Sequence, residues 1–219
     1  MNDEVTATLA SWGMILPPSS RAALETFAEG LKEKNSLLNL VSRTDEPHLW
    51  ERHILDALAA VPLLRRLLPP GSVIADAGSG AGFPGLALSA ALPEYRFELL
   101  DSSGKRCAFL NWSAARMKAA NVSVFHRRLG ERGEVSAVRY GAVLERAMGQ
   151  LENILPQCLN ILAEGGSFLA WQSSSQLAAS RPAVDAALAR AGGELLEIFS
   201  YRLPGEEADR GISVFRKRR

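Results

Sequence analysis

The chain has 219 residues, 47% of them hydrophobic, and a formal net charge of +1. That length and apolar content suit one ordinary domain with room for an appendage, and the balanced charge excludes attachment to nucleic acid by bulk charge alone while allowing a local basic face. No apolar run is long enough to span a membrane, and the polar, acidic residues after Met1 are not those of a signal peptide, so a cytoplasmic location is expected.

Residues 1–70 are expected to be helical. Leu24, Phe27, Ala28 and Leu31 recur at helical spacing, and so do Leu49, Ile54, Leu55 and Leu58. Thr44-Asp45-Glu46-Pro47 supplies capping side chains and a proline for the start of the second of these helices. On it, Arg52 and Asp56 stand four apart and His53 and Asp56 three apart, which reads as a surface charge network. A His–Asp couple also suits base catalysis, but spacing alone favours the network. Pro69-Pro70-Gly71 closes the region, giving a helical unit over 1–70 and a second unit over 71–219.

From Gly71 the pattern alternates. Strands are expected at 73–76, 96–101, 122–126, 141–145, 166–171, 195–202 and 211–216, with helices at 84–91, 104–118, 149–162 and 176–191. Such alternation argues for a parallel sheet covered on both faces. The last two strands are joined by LPGEEADRG, too short for a crossover helix, so they should pair antiparallel. The expected fold class is therefore α/β, with a mostly parallel, Rossmann-like seven-stranded sheet, a C-terminal antiparallel hairpin and an N-terminal helical cap. Cys107 and Cys158 fall in expected helices and read as buried thiols. His48, His53 and His126 lack metal-ligand spacing, so no metal is expected.

The stretch that carries chemistry is VIADAGSGAGFPG, Val73 to Gly85. A short strand ends at Asp76, and a loop rich in glycine follows, open to a ligand along its backbone. Gly80-Ala-Gly82-Phe-Pro-Gly85 matches the dinucleotide fingerprint literally. In that fingerprint, however, the first glycine follows the strand at once, and here that glycine is Gly78. The better parse is Asp76-x-Gly78-x-Gly80-x-Gly82, the loop of S-adenosylmethionine (SAM) methyltransferases. Ser79 lacks the flanking glycines of a nucleophile elbow, and no P-loop lysine follows.

One βα unit later, Asp101 and Ser102 stand at the end of the second strand, where an acid meets a ribose in a doubly wound sheet. The competing reading of Asp101 is an N-cap for the next helix. Leu129, Gly130 and Glu131 follow the third strand, beside the place of an adenine. Arg146 ends the fourth, facing the cofactor's reactive end, where a guanidinium can fork onto a carboxylate, phosphate or guanine edge. An ion pair with Glu145 or Glu152 is its bland alternative. Lys105, Arg106, Arg116, Lys118, Arg127, Arg128 and Arg132 offer phosphate contacts or a solvated face.

The segments LNLVSRTDEPHLWERHILDALA, VIADAGSGAGFPGLALSAALPEYRFELLDSSGKRCAFL, ERAMGQLENIL and YRLPGEEADRGISVFRK together resemble the glucose-inhibited division protein B family, bacterial 16S ribosomal RNA guanine-N7 methyltransferases. The resemblance implies SAM as cofactor and 16S rRNA or the small ribosomal subunit as partner, acting as a monomer without metal or membrane. It implies that Gly78 and Phe83 contact the cofactor, that Leu129 and Gly130 flank its adenine, that Asp101 is the ribose-binding acid and that Arg146 reaches into the site; with Gly80 and Ser102 from the loop and strand-end reading, these are the expected cofactor-binding residues, and Arg146 is the expected catalytic one. The N-terminal helices become a cap at the substrate mouth. The chain departs from the family pattern in three places: Glu145 replaces a small hydroxyl residue, Gln172-Ser173 stands for Lys-Gly, and Gly130 replaces one of an acidic pair. Alternatives from other classes are a methyltransferase for a small molecule or protein, a non-catalytic SAM-binding regulator, and, on the literal glycine match, an NAD oxidoreductase.

Overall fold

The structure, a computed structural model, describes residues 1–129 and 139–218, with only the backbone at residue 174. Among these residues one seven-stranded sheet organises the molecule. Its strands are β1 (Val73–Ala77), β2 (Arg96–Asp101), β3 (Val122–His126), β4 (Tyr140–Arg146), β5 (Leu162–Ser173), β6 (Gly193–Tyr201) and β7 (Arg210–Lys217), in the order β3-β2-β1-β4-β5-β7-β6. β1 to β5 run parallel, and β7 pairs antiparallel with both β5 and β6. The expected architecture, including the closing hairpin, is present.

Alternation along the strands sends apolar side chains to both faces. Ile74 belongs to the core shared with α1 (Asp3–Ser11), α2 (Pro18–Leu38), α3 (Leu55–Leu58), α4 (Val61–Leu67), α5 (Gly85–Ala91) and α6 (Gly104–Met117). Ala75 and Ala77 belong to the opposite core, under α7 (Leu151–Ile161) and α8 (Ser174–Ala191). The helices before β1 thus pack into the sheet's own core: Leu24, Phe27, Leu31 and Leu58 share it with Leu86, Phe97 and Leu110. Cys107 and Cys158 are buried free thiols. No helix among the described residues is long and apolar enough to cross a membrane.

Two elements differ from the sequence expectation. β5 begins at Leu162, not 166, because Tyr140 pairs with Leu162 and Ala142 with Ser167 across an irregularity. Gly165 sits there at φ +71°, and the glycine pair masks the strand's start. The helix expected after Pro47 is a 3₁₀ turn (Glu46–His48) followed by a π-turn (Trp50–Ile54) that runs into α3. A π-turn inserts a residue into the helical frame, and this decides where Asp56 points.

The order of strands reverses between β1 and β4. Such a switch point opens a crevice at the carboxyl ends of the strands.

Candidate active site at the sheet switch point

The loop after β1 folds back on the end of β2. Gly78 N–H and Ser79 N–H donate to the Leu100 carbonyl at 2.8 and 3.1 Å, and Gly80 N–H donates to Asp101 Oδ2 at 2.9 Å. Gly78 has φ +70°, a conformation that glycine takes without the Cβ penalty. Gly85 is required for closeness: a Cβ there would lie 2.6 Å from Asp76 Cβ and Oδ2. That contact lets Gly85 N–H, at the start of α5, donate to Asp76 Oδ2 at 3.0 Å. Burial, only partly offset by that bond, pushes the Asp76 carboxyl up to about 7, and its Oδ1 has no partner among the described residues.

Asp101 is buried and accepts a second bond, from Ser103 N–H at 2.8 Å on Oδ1. The N-cap of α6 is Ser103, so Asp101 is not used as the cap and lies on the wall of a cleft. That cleft, about 490 Å³, is also lined by Gly78, Ser102, Leu129, Met148 and Ile154. Gly130 and Glu131, expected beside Leu129, fall outside the described residues.

Arg146, at the tip of β4, pairs with neither Glu145 nor Glu152. Its Nε lies 3.1 Å from Asp56 Oδ2, and its Nη2 donates to His53 Nδ1 at 2.7 Å. Asp56 is a hub. Its Oδ1 accepts from the Tyr201 hydroxyl at 2.5 Å and from Arg210 Nη1 at 3.0 Å, and its backbone carbonyl accepts from Trp171 Nε1–H at 2.9 Å. Burial first, then the Asp56 carboxylate, holds the Tyr201 hydroxyl well above its ordinary pKa, so it stays a donor.

The surface network expected for Arg52, His53 and Asp56 is therefore corrected. Arg52 pairs with Asp45 at 2.7 Å, while Asp56, only 1% exposed, faces Arg146 and Arg210. The π-turn over Trp50–Ile54, which contains Arg52, breaks the four-residue register on which that pairing depended. His53 stacks on Phe83 with ring centroids 5.2 Å apart. Phe83 also packs against Phe27, and the Arg146 guanidinium lies 5.7 Å from its ring. Burial, reinforced by the Arg146 charge, lowers the His53 pKa to about 4. The imidazole is neutral near pH 7. Because arginine only donates, Nδ1 is the acceptor and the proton sits on Nε2, 3.5 Å from Asp45 Oδ2.

Glu145, buried beside this cluster, accepts Met148 N–H on Oε1 at 2.6 Å. The turn it closes holds Ala147 at φ +60°, and Met148 lies against Gly78. Burial raises the Glu145 carboxyl to about 7.

The structure thus gathers Gly78, Asp101, Ser102 and Leu129 on one cleft, places Gly80 on Asp101, and joins Phe83 to Arg146 through His53. Sequence reasoning missed Asp56 as the partner of Arg146, and Tyr201 and Arg210 as the partners of Asp56; the arginine's position at a strand tip signalled a site without showing what held it.

A family model described as rRNA small subunit methyltransferase G (GidB) matches residues 20–181. The ribosomal RNA small subunit methyltransferase G of Bacillus subtilis (strain 168) is 32% identical over 220 residues, covering 98% of this chain and 90% of that protein. The protein of the same name from Listeria monocytogenes serovar 1/2a is 30% identical over 217 residues, with coverages of 98% and 90%. Among solved structures, a methyltransferase from Pyrococcus furiosus aligns with TM-score 0.60 at 11% identity, covering 90% of this chain and 98% of that one. A ribosomal protein L11 methylase from Lactobacillus delbrueckii subsp. bulgaricus aligns at 0.56 and 18% identity, covering 74% and 79%. These two carry the fold alone. By its sequence over most of its length, the chain belongs to the rRNA small subunit methyltransferase G family.

Proposed function

We propose that this protein transfers a methyl group from SAM to N7 of a guanine in 16S rRNA of the small ribosomal subunit. The observation that carries the reading is the meeting, at one switch point, of an open glycine backbone, a buried carboxylate at the tip of β2 and a clamped arginine at the tip of β4. SAM brings an electrophilic methyl on a sulfonium.

The residues present fit that cofactor. The cleft has the volume of a small-ligand site. Asp101 has spent only part of its acceptor capacity on Gly80 and Ser103, which leaves lone pairs for two ribose hydroxyls. Leu129 and Ile154 offer apolar cover for a base, and Met148, which rests against Gly78, is the side chain that gives way as a ligand settles on the loop. Gly80, Ser102, Gly130 and Phe83 are assigned to the cofactor's surroundings.

Guanine N7 carries a free lone pair, so no group must remove a proton before attack. His53 conforms to this: neutral, with Nδ1 occupied by Arg146, it is not poised as a base. What the protein supplies is alignment. Arg146 is held at two of its nitrogens and keeps Nη1 without a partner among the described residues, ready for the substrate. Positive charge develops on the base during transfer. The Asp56 and Glu206 carboxylates offset Arg146 and Arg210, so the site does not oppose that charge. Residues 1–70 act as a cap and residues 71–219 as the methyltransferase domain: the cap's Arg52 and His53 line an opening of about 710 Å³ beside Arg146 and Glu206.

The test is incubation of the protein with methyl-labelled SAM and small ribosomal subunits from a strain lacking the enzyme, followed by mapping of N7-methylguanine. Label at one guanine of 16S rRNA is expected. Label in another acceptor, with none in rRNA, would overturn the assignment.

A further inference from the structure

The turn after β4 separates two clefts. Ala147 lines both: the Asp101 cleft, which Met148 also lines, and a second cleft of about 500 Å³, lined by Glu145, Arg146 and Trp171. Arg146, assigned above to the substrate, is on the second cleft and not the first. The Met148 side chain is seated on the bare Cα of Gly78, where an added Cβ would lie 3.0 Å from both Met148 Cγ and Sδ. Under the methyltransferase reading the cofactor settles on that same glycine, so the two compete for one place. Two features keep Met148 there. Its backbone N–H donates to Glu145 Oε1 at 2.6 Å, and Ala147 is held at φ +60°. A left-handed conformation is unfavourable for alanine because of its Cβ, and it persists only where the surroundings impose it. What imposes it here is the hydrogen bond from Met148 N–H to the buried Glu145 carboxyl. Releasing that bond lets Ala147 return to an ordinary conformation and carries Met148 off Gly78.

We propose that the turn from Glu145 to Met148 is a gate between the two clefts, that Glu145 is the positioning residue that latches it, and that entry of the cofactor opens it. The inference rests on the methyltransferase reading above and adds to it an order of events. Transfer needs acceptor, methyl carbon and sulfur in line, so the partition between the clefts has to yield first. It yields when the cofactor displaces Met148, and the acceptor therefore meets a loaded site. Methionine suits the moving part, being unbranched, readily rotated and tolerant of new neighbours. A small hydroxyl at position 145, the usual residue in the family pattern, can accept an N–H three residues on in the manner of a helix cap. The latch thus fits that pattern as well as this chain's departure from it.

The experiment is stopped-flow tryptophan fluorescence of S-adenosylhomocysteine binding to the full chain, with Trp171 on the second cleft. In the wild-type protein the observed rate should level off as ligand concentration rises, because movement of the turn limits it. Met148→Ala, which clears the seat on Gly78, and Glu145→Ala, which cuts the latch, should each raise the limiting rate at least about tenfold, equivalent to about 1.4 kcal/mol. Glu145→Gln keeps the acceptor and should stay near the wild-type rate. Ala147→Gly removes the Cβ that disfavours the closed turn and should slow opening about fivefold, equivalent to about 1 kcal/mol. A wild-type rate that rises linearly with concentration, or limiting rates indifferent to Met148 and Glu145, overturns the gate. Equal acceleration in Glu145→Gln and Glu145→Ala overturns the latch. Absence of any S-adenosylhomocysteine binding would remove the methyltransferase reading and the gate with it, whereas labelled rRNA together with ungated binding leaves that reading intact.

Discussion

Asp56→Asn is the substitution that most sharply separates the clamp on Arg146 from the fold around it. The carboxylate serves Arg146 on Oδ2 and both Tyr201 and Arg210 on Oδ1. Asparagine can keep an oxygen toward Tyr201 and Arg210, but its amide N–H₂ then faces the Arg146 Nε–H, donor against donor. At 3.1 Å and an effective dielectric of about 20, the lost attraction is about 5 kcal/mol before desolvation is counted. Arg146 regains part of its hydration on turning away, so a net loss of about 3 kcal/mol in stability is expected. The larger effect is on alignment: displacement of a positioned group by about 1 Å can cost about 100-fold in rate. Single-turnover methyl transfer to small subunits should fall by about that factor, while SAM affinity by calorimetry stays within about threefold, because Asp56 is not on the Asp101 cleft. Arg146→Ala should abolish most turnover, and the double variant Asp56→Asn/Arg146→Ala should be no slower than Arg146→Ala alone, since the two act as one unit. Additive losses, or a wild-type rate in Asp56→Asn with only a lowered Tm, would refute the clamp.

Three further outcomes follow from the same geometry. The Glu145 carboxyl stands at about 7 against 4.5 unfolded, so the folded state holds its proton longer and stability declines as pH rises through 7, by up to about 3 kcal/mol. Glu145→Gln keeps an acceptor for Met148 N–H and removes that titration; its Tm advantage should be small near pH 4.5, grow up to about pH 7 and level off above it, and a pH-independent difference across that range would contradict the assignment. Gly85→Ala places a Cβ 2.6 Å from Asp76 and Leu99 and should cost about 1–3 kcal/mol in urea unfolding. Asp101→Asn, isosteric but uncharged, should weaken S-adenosylhomocysteine binding by roughly 10- to 100-fold in calorimetry, the value of a charge-assisted bond.

What could be read from the sequence is local. The strand before Asp76, the turn at Gly78 and the delivery of Asp101 one βα unit later depend on short-range spacing, and the structure has each in place. Arg146 was legible as a strand-tip residue for the same reason. The clamp was not: Asp56 meets Tyr201 and Arg210 across separations of 145 and 154 residues, which no window reveals. The π-turn also misled the local reading, since an uninterrupted α-helix would have set Arg52 beside Asp56. The early start of β5 was hidden by Gly165 and Gly166, whose backbone irregularity breaks the alternation that marks a strand.

The placement of the cofactor is the claim on which the rest depends, and a crystal structure of the full chain with S-adenosylhomocysteine tests it directly. The ribose hydroxyls are expected on Asp101, the adenine beside Leu129 and the sulfur near Gly78, with Arg146 still on Asp56 and His53. A ligand bound elsewhere, or a sugar with no contact to Asp101, would contradict it.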